Sequence, residues 1–518
     1  MEKHIRFDEQ REALRNYVGD QARQVPPVFV GRQLAVEDIE KTAQVTLRNW
    51  REGKRFPGLT RVVQGAPGAG KSSLLAHLEK KWEAAREAGD KAVPLAVNIS
   101  LFDLRDLSRF REKVERKAPA SLGKRHGPVI AGALVKLVTP GTRLSEETEA
   151  GIRALFERRD LPHPVVLMID EAQNARPHET EAANFSHLHE GHFSELPVLP
   201  VLAGLGHLRE HLGQPGIRLT RFSDERKSVH TLNGMSEYEV RELFDGWRAH
   251  FKVAATDVDA VRWADALVRD SQGWPMHTNH FLTSLAGQLL MPERDPGRLA
   301  SADLDTVRRE TAERRLAYYN TRYDNPLLQE SEQQLAMTMA ALRIRGPANL
   351  KSTLDAIQSA FQHEDREDSR VAFAILRERG FLQEAPDPKL PPSIAAVRRV
   401  YACPIPSLAS YAAACESPVH VAAARGDAVL LERMLPEDPS AVDARDAMGC
   451  APLHVAAECR WADVTDTLLA FGADPEAPDA AGVTAREVWP EFEWPEDDPA
   501  PSGQQPRRKR SGTPRRNG

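Results

Sequence analysis

No run of about eighteen apolar residues occurs anywhere in the chain, so no segment is able to cross a bilayer as a helix. Cysteine is scarce as well. Cys403, Cys415, Cys450 and Cys459 all fall in the last quarter, at spacings that match no zinc module, and they suit small core positions in a reduced cytosol. The opening residues, MEKHIRFDEQREALRNY, are charged throughout and cannot be a signal peptide, so a cytoplasmic location is expected. A strong excess of one charge is also missing. The net charge of −6 argues against a whole-surface nucleic-acid binder, though not against a local basic patch. What remains is an ordinary globular composition, 41% hydrophobic and 28% charged, in 518 residues, a length that calls for roughly three or four domains.

Against that background one stretch organises the rest. Gly65-Ala66-Pro67-Gly68-Ala69-Gly70-Lys71-Ser72 reads G-x-x-x-x-G-K-S, the phosphate-binding loop pattern. Residues 60–64 (TRVVQ) before it form a short β-branched run suited to a buried strand. Leu74, Leu75, Leu78 and Trp82 after it recur at helical spacing, so the loop opens a helix. The glycines let backbone N–H groups turn inward around phosphates, and the helix N-terminus adds positive potential. The binding set is Gly65, Ala66, Pro67, Gly68, Ala69, Gly70, Lys71, Ser72 and Ser73, with Lys71 on the β- and γ-phosphates and the Ser72 hydroxyl on Mg²⁺. A nucleoside triphosphate is the expected ligand.

The next informative stretch is Val165-Val166-Leu167-Met168-Ile169-Asp170-Glu171, an apolar strand with two carboxylates at its C-terminal end. Ligands of open α/β sheets bind at the carboxyl ends of strands, which brings Asp170 beside the loop. Asp170 then holds magnesium directly or through water, and Glu171 serves as general base toward the attacking water. Residues 92–99, 196–205 and 228–232 read as further strands, giving a doubly wound parallel sheet. Between the last two lie Arg218 and Arg221; an arginine here either stabilises charge on the transferring phosphoryl group, in its own subunit or a neighbour's, or ends a surface helix. Phe29 and Val30 either cover an adenine ring or cap the domain. His187, His189, His192 and Glu190 suit no common zinc pattern and read as a helix end and turn. Ser236 and Glu239 signal a capped helix, and residues 273–277 (GWPMH) a helix start that faces the nucleotide if this region is a lid.

Together these residues resemble the AAA+ ATPases, within them the branch near the origin-recognition initiators and the STAND-type switches. PVFVGR at 27–32 resembles the nucleotide-base box, GAPGAGKS the Walker A motif and VVLMIDEAQ the Walker B motif; residues 216–222 resemble the arginine-finger region, and the Gly273 segment resembles sensor 2. The resemblance covers roughly residues 25–290 and implies ATP and Mg²⁺ as ligands, Glu171, Lys71 and Arg218 or Arg221 as catalytic residues, Ser72 and Asp170 on the metal, and a nucleotide-dependent homo-oligomer as one possible assembly. Two departures stand out. The fourth strand ends near Ala203-Gly204 without the usual polar residue, and Met276, followed by His277, takes the place of the sensor 2 arginine. The weakened lid contact implies slow hydrolysis, which favours a switch over a fast motor.

Downstream, helical patterns at 327–342, 349–361 and 369–379 precede a two-stranded pattern, which resembles a winged helix; Arg370, Arg377 and Arg379 either meet nucleic-acid phosphates there or the module serves protein packing. PVHVAA at 418–423 recurs as PLHVAA at 452–457, and Gly449 recurs 33 residues on at Gly482, the ankyrin period. That resemblance implies a protein partner and makes the repeat histidines helix-start hydrogen-bonders. The Pro-rich, then Arg-rich tail lacks the apolar residues to fold. The expected layout is a leader (1–26), an α/β P-loop core (27–234), a helical lid (235–325), a winged-helix-like domain (326–412), all-α ankyrin repeats (413–490) and a disordered tail (491–518). Two functions follow: an ATPase switch that recruits a protein through the repeats, or a DNA-handling ATPase using the winged helix and tail. No membrane partner is expected.

Overall fold

The computed structural model describes residues 2–19, 27–52, 60–90, 93–100, 164–174, 198–206, 208, 228–323, 349–361, 366–378, 380–386, 399–406, 408, 417–446, 449–479 and 482–494. Five parallel strands form the central sheet: β1 (Arg61–Gln64), β2 (Leu95–Ser100), β3 (Val165–Asp170), β4 (Val198–Gly204) and β5 (Val229–Thr231), in the order β2-β3-β4-β1-β5. Every residue of β3 and β4 is buried, as the unbroken apolar runs VVLMI and VLPVLA require of strands covered on both faces. The second strand starts at Leu95, three residues later than its apolar run, because Pro94 has no N–H to give a ladder; Leu95 makes the first bond, to Pro164 O at 2.8 Å. Pairing of Gln64 with Gly204 and of Ile169 with Leu202 brings the carboxyl ends of β1, β3 and β4 level.

Helix α1 (Glu2–Gly19) is polar along most of its length but is anchored by fully buried Leu14, which joins Phe244, Trp247, Trp263 and Phe281 in the core of the helical region that follows the sheet. Helix α2 (Gln33–Arg51) crosses the sheet, and its Asp38 accepts from Arg61 at 2.6 Å and meets His230 at 2.8 Å, so the charge inside β1 is neutralised where it is buried. Helix α3 (Lys71–Glu87) leaves the loop after β1 and buries Leu74, Leu75, Leu78 and Trp82.

Four helices follow: α4 (Glu237–His250), α5 (Asp257–Ser271), α6 (Pro275–Leu289) and α7 (Leu304–Tyr323). The capping box of Ser236 with Glu239 starts α4 as its sequence signals. Helices α8 (Leu350–Phe361) and α9 (Arg366–Glu378) and the antiparallel pair β6 (Gln383–Pro386) and β7 (Arg399–Ala402) come next. Finally α10 (Pro418–Arg425), α11 (Ala428–Met434), α12 (Pro452–Cys459), α13 (Ala462–Ala470) and α14 (Ala485–Val488) stack as repeated pairs with a partial third. One apolar core joins Val63, Leu75, Met168 and Ala203 of the sheet layer to Leu376 and Leu382 and on to Leu453 and Leu468 of the repeats, separate from the core that Leu14, Phe244 and Phe281 share. Among the described residues no helix is long and apolar enough to cross a membrane.

Candidate functional site

The loop leaves β1 at Gly65, whose N–H bonds Gly204 O at 3.1 Å and where a Cβ would stand 2.9 Å from the Leu232 carbonyl oxygen. Gly68 and Gly70 have φ of 81° and 91°, the left-handed region that favours glycine, and Gly70 caps α3. Lys71 is buried, with Nζ donating to the loop's own carbonyls, Gly65 O at 2.9 Å and Ala66 O at 3.1 Å. The Ser72 hydroxyl donates to Asp170 Oδ2 at 2.5 Å. This unites two residues that stand 98 positions apart, as the sheet register demands. Glu171 follows with φ of 55°, an uncommon value for a side-chain-bearing residue, and its N–H bonds Asp170 Oδ1 at 3.0 Å. Its carboxylate accepts from Gln173 Nε2.

One carboxylate and one hydroxyl at hydrogen-bond distance suit Mg²⁺, which takes few protein ligands and completes its shell with water and phosphate oxygens. Among the described residues no group of three or more His, Cys, Asp or Glu is placed to hold a metal by itself. His187, His189, His192 and Glu190, like Arg218 and Arg221, lie outside the described residues.

Three neighbouring segments bond the loop from outside. Met276 N–H donates to Gly68 O at 3.2 Å, Tyr318 on α7 donates to Pro67 O at 2.9 Å, and Ala66 N–H donates to Gln383 Oε1 on β6 at 2.8 Å. The amide of Gln383 also donates to Asn233 Oδ1 at 2.9 Å, while Arg32 bridges Ala69 O and Asn233 O. Trp274, fully buried at the start of α6, brings its indole N–H to Gly68, and that donor has no partner among the described residues.

Two expected contacts take a different form. Met276 reaches the loop through its backbone and packs its side chain on the core. His277 is wholly buried between His280 and Tyr318, and burial holds its pKa well below the ordinary 6.5, so it offers the loop no exposed ring. Phe29 stacks on His77 of α3, centroids 4.1 Å apart and planes 12° from parallel; Val30 beside it is half-buried. Arg377 is buried against Phe373 and Tyr401, its guanidinium 5.4 and 5.5 Å from their centroids, and Arg370 pairs with Glu367 at 2.9 Å. The Arg377 guanidinium is thus engaged inside the module, whereas Arg370 and Glu367 are both exposed.

Sequence patterns did not single out Gln173, Tyr318 or Gln383. Gln173 had a readable signal, a donor three residues beyond Asp170 in IDEAQ. The other two lie 251 and 317 residues from their loop partners and carry no local mark.

Comparison with known proteins matches the family model described as "Ankyrin repeat" to residues 448–480. A serine/threonine-protein kinase VIK from Arabidopsis thaliana is 47% identical over 55 residues, 11% of this chain and only 13% of that protein's length. Similar solved structures include the Aeropyrum pernix ORC2 protein in ADPNP–ADP complexes, with 14% identity, TM-score 0.45, and 75% of this chain and 93% of that one covered. They also include Cdc6p from Pyrobaculum aerophilum (14%, 0.35, 82% and 98%) and the Aeropyrum pernix ORC1 protein in complex with DNA (14%, 0.35, 82% and 96%). The resemblance read from the sequence holds for the fold: a P-loop in a five-stranded parallel sheet followed by a helical region, joined to an ankyrin repeat.

Proposed function

We propose that this chain binds Mg²⁺-ATP on the loop Gly65–Ser73 and hydrolyses it slowly, its nucleotide state governing recognition of a protein at the ankyrin repeats. The observation that carries the reading is the 2.5 Å contact of Ser72 with Asp170 beside the buried ammonium of Lys71. Lys71 would turn from the Gly65 and Ala66 carbonyls to the β- and γ-phosphates, and Ser72 and Asp170 are the residues that would hold Mg²⁺. When bound, the ion neutralises charge on the phosphate oxygens. Glu171 takes the proton of a water whose oxygen attacks the γ-phosphorus, the bond to the bridging oxygen breaks, and ADP and inorganic phosphate leave.

Control of a partner surface is supported by what grips the loop. Pro67 and Ala66 are bonded by Tyr318 and Gln383, from two modules outside the sheet, so any shift of the loop on binding phosphate strains both contacts. Helix α7 also holds the repeats, through Arg315 on Cys459 O. Phosphate release by the full chain, compared with Lys71→Ala and Glu171→Gln, tests the chemistry; equal release by all three ends the ATPase reading. Sizing Glu171→Gln with and without ATP tests a role for Arg218 or Arg221 across a subunit boundary, and a monomer in both conditions ends it. The DNA reading gains no support from Arg377, whose guanidinium is buried against Phe373 and Tyr401 of its own module.

A further inference from the structure

The end of β4 faces the site with no polar side chain of its own, since Ala203 and Gly204 close the strand. A side-chain amide from another segment fills that place. Gln173, in the short 3-10 turn Ala172–Asn174 after β3, accepts from Leu205 N–H through Oε1 at 3.3 Å and donates through Nε2 to Glu171 Oε2. The two bonds fix which end is which, because a backbone N–H needs an acceptor and a carboxylate needs a donor. Gly204 is the second half of the arrangement. Its φ is not positive, so its backbone does not require glycine, yet a Cβ there would collide with Gln173 Oε1. Space for the amide is one thing the missing side chain provides.

Glu171 gains most from this. A carboxylate on a residue with φ of 55° has several rotamers, and among the described residues no other hydrogen bond restrains its oxygens. We propose that Gln173 is the positioning residue for Glu171: it spans the ends of β3 and β4, aims one carboxylate oxygen by holding the other, and supplies the fixed polar group that β4 lacks. The inference rests on the reading of Glu171 as general base.

The test is steady-state phosphate release by the full chain, with ATP affinity measured separately by a fluorescent ATP analogue. Gln173→Ala should lower kcat roughly 10- to 100-fold, the scale of a misaimed catalytic group, with KM and analogue affinity held within about twofold. Gln173→Glu keeps the shape but replaces the Nε2 donor to Glu171 with a second carboxylate oxygen, so kcat should fall as in Gln173→Ala while analogue affinity holds. Gly204→Ala, by displacing the amide, should copy Gln173→Ala, and the double variant should be no slower than the slower single. Wild-type kcat in both Gln173 variants, or a loss confined to KM, overturns the proposal. Should Gln173→Ala misfold, the near-isosteric Gln173→Glu decides the matter in its place. If the unaltered chain binds the analogue but releases no phosphate, the hydrolysis reading itself falls and takes this inference with it; turnover unaffected by Gln173 defeats the inference alone.

Discussion

The loop region and the ankyrin repeats both bury polar side chains, yet they partner them in opposite ways. Around the loop, polar groups bond to groups able to change partner: Ser72 to Asp170, and Lys71 to carbonyls of its own loop. In the repeats they bond to backbone that has no alternative. His454 accepts from Ala451 N–H at Nδ1, so Nε2 carries the proton and donates to Val483 O at 3.2 Å; His420 Nε2 meets Cys450 O at 2.8 Å, where a carbonyl needs a donor. Each histidine stitches one repeat to the next. An arrangement that exchanges partners suits chemistry; one that closes on fixed carbonyls suits scaffolding.

The largest test of that contrast is Lys71→Ala or Asp170→Ala, which should reduce phosphate release by roughly 10³-fold, the scale of losing a preorganised charge at the transferring group. Thermal stability should hardly move in Lys71→Ala. A comparable loss of stability would place the lysine with the scaffold.

Arg315 stands where the two regions meet. It donates to Asp270 O at 3.0 Å and to Cys459 O, and it lies 5.5 Å over the Trp461 ring. Arg315→Ala leaves two buried carbonyls without that donor and should cost roughly 2–4 kcal/mol in urea unfolding. Three residues further along α7, Tyr318 holds Pro67, so the variant should also alter ATP affinity. Unchanged affinity would separate the repeats from the loop. His454→Ala, by contrast, should cost roughly 1–3 kcal/mol of stability and leave turnover per folded molecule intact.

Acid sharpens the contrast further. Burial, with Arg314 and Arg315 adding repulsion, pushes His280 down to about 4, so the folded protein keeps its imidazole neutral where the unfolded chain has already bound a proton. Its contribution is fully present above the ordinary value of 6.5 and drains as pH falls toward about 4. His280→Gln should flatten the stability profile over that interval. A profile unchanged by the substitution would place the acid sensitivity elsewhere, with His277 and His420 the next to test, since burial lowers both.

How much of this was legible follows from the range of each interaction. The loop, the strand before it and the helix after it are spelled within about 25 residues of sequence, because a phosphate cradle is a local device. Asp170 was legible through a fold-level rule on strand ends, and the 33-residue recurrence of Gly449 and Gly482 exposed the repeats. Gln383 and Tyr318 were not legible, since an amide and a phenol on amphipathic segments look like ordinary surface residues until the modules close on the loop. Gln173 was half legible: its spacing from Asp170 is plain in the sequence, but the empty end of β4 that gives it work appears only with the strands side by side.

The smallest expected effect concerns Phe29, whose sequence position admits both an adenine cover and a plain cap. In the structure one ring face is stacked on His77, a residue of the same module, and burial has lowered the pKa of that imidazole, which keeps the pair neutral near pH 7. A neutral stack of this kind contributes about 0.5–1.5 kcal/mol beyond its buried area, so Phe29→Ala should lower stability by that order. Because the stack is satisfied within the protein, ATP and GTP affinities should both stay within about threefold, less than a lost base contact would remove. Weakening of ATP alone, with GTP untouched, would move Phe29 from the scaffold side of the comparison to the exchangeable side. It would then make the aromatic pair the means by which the pocket reads a base.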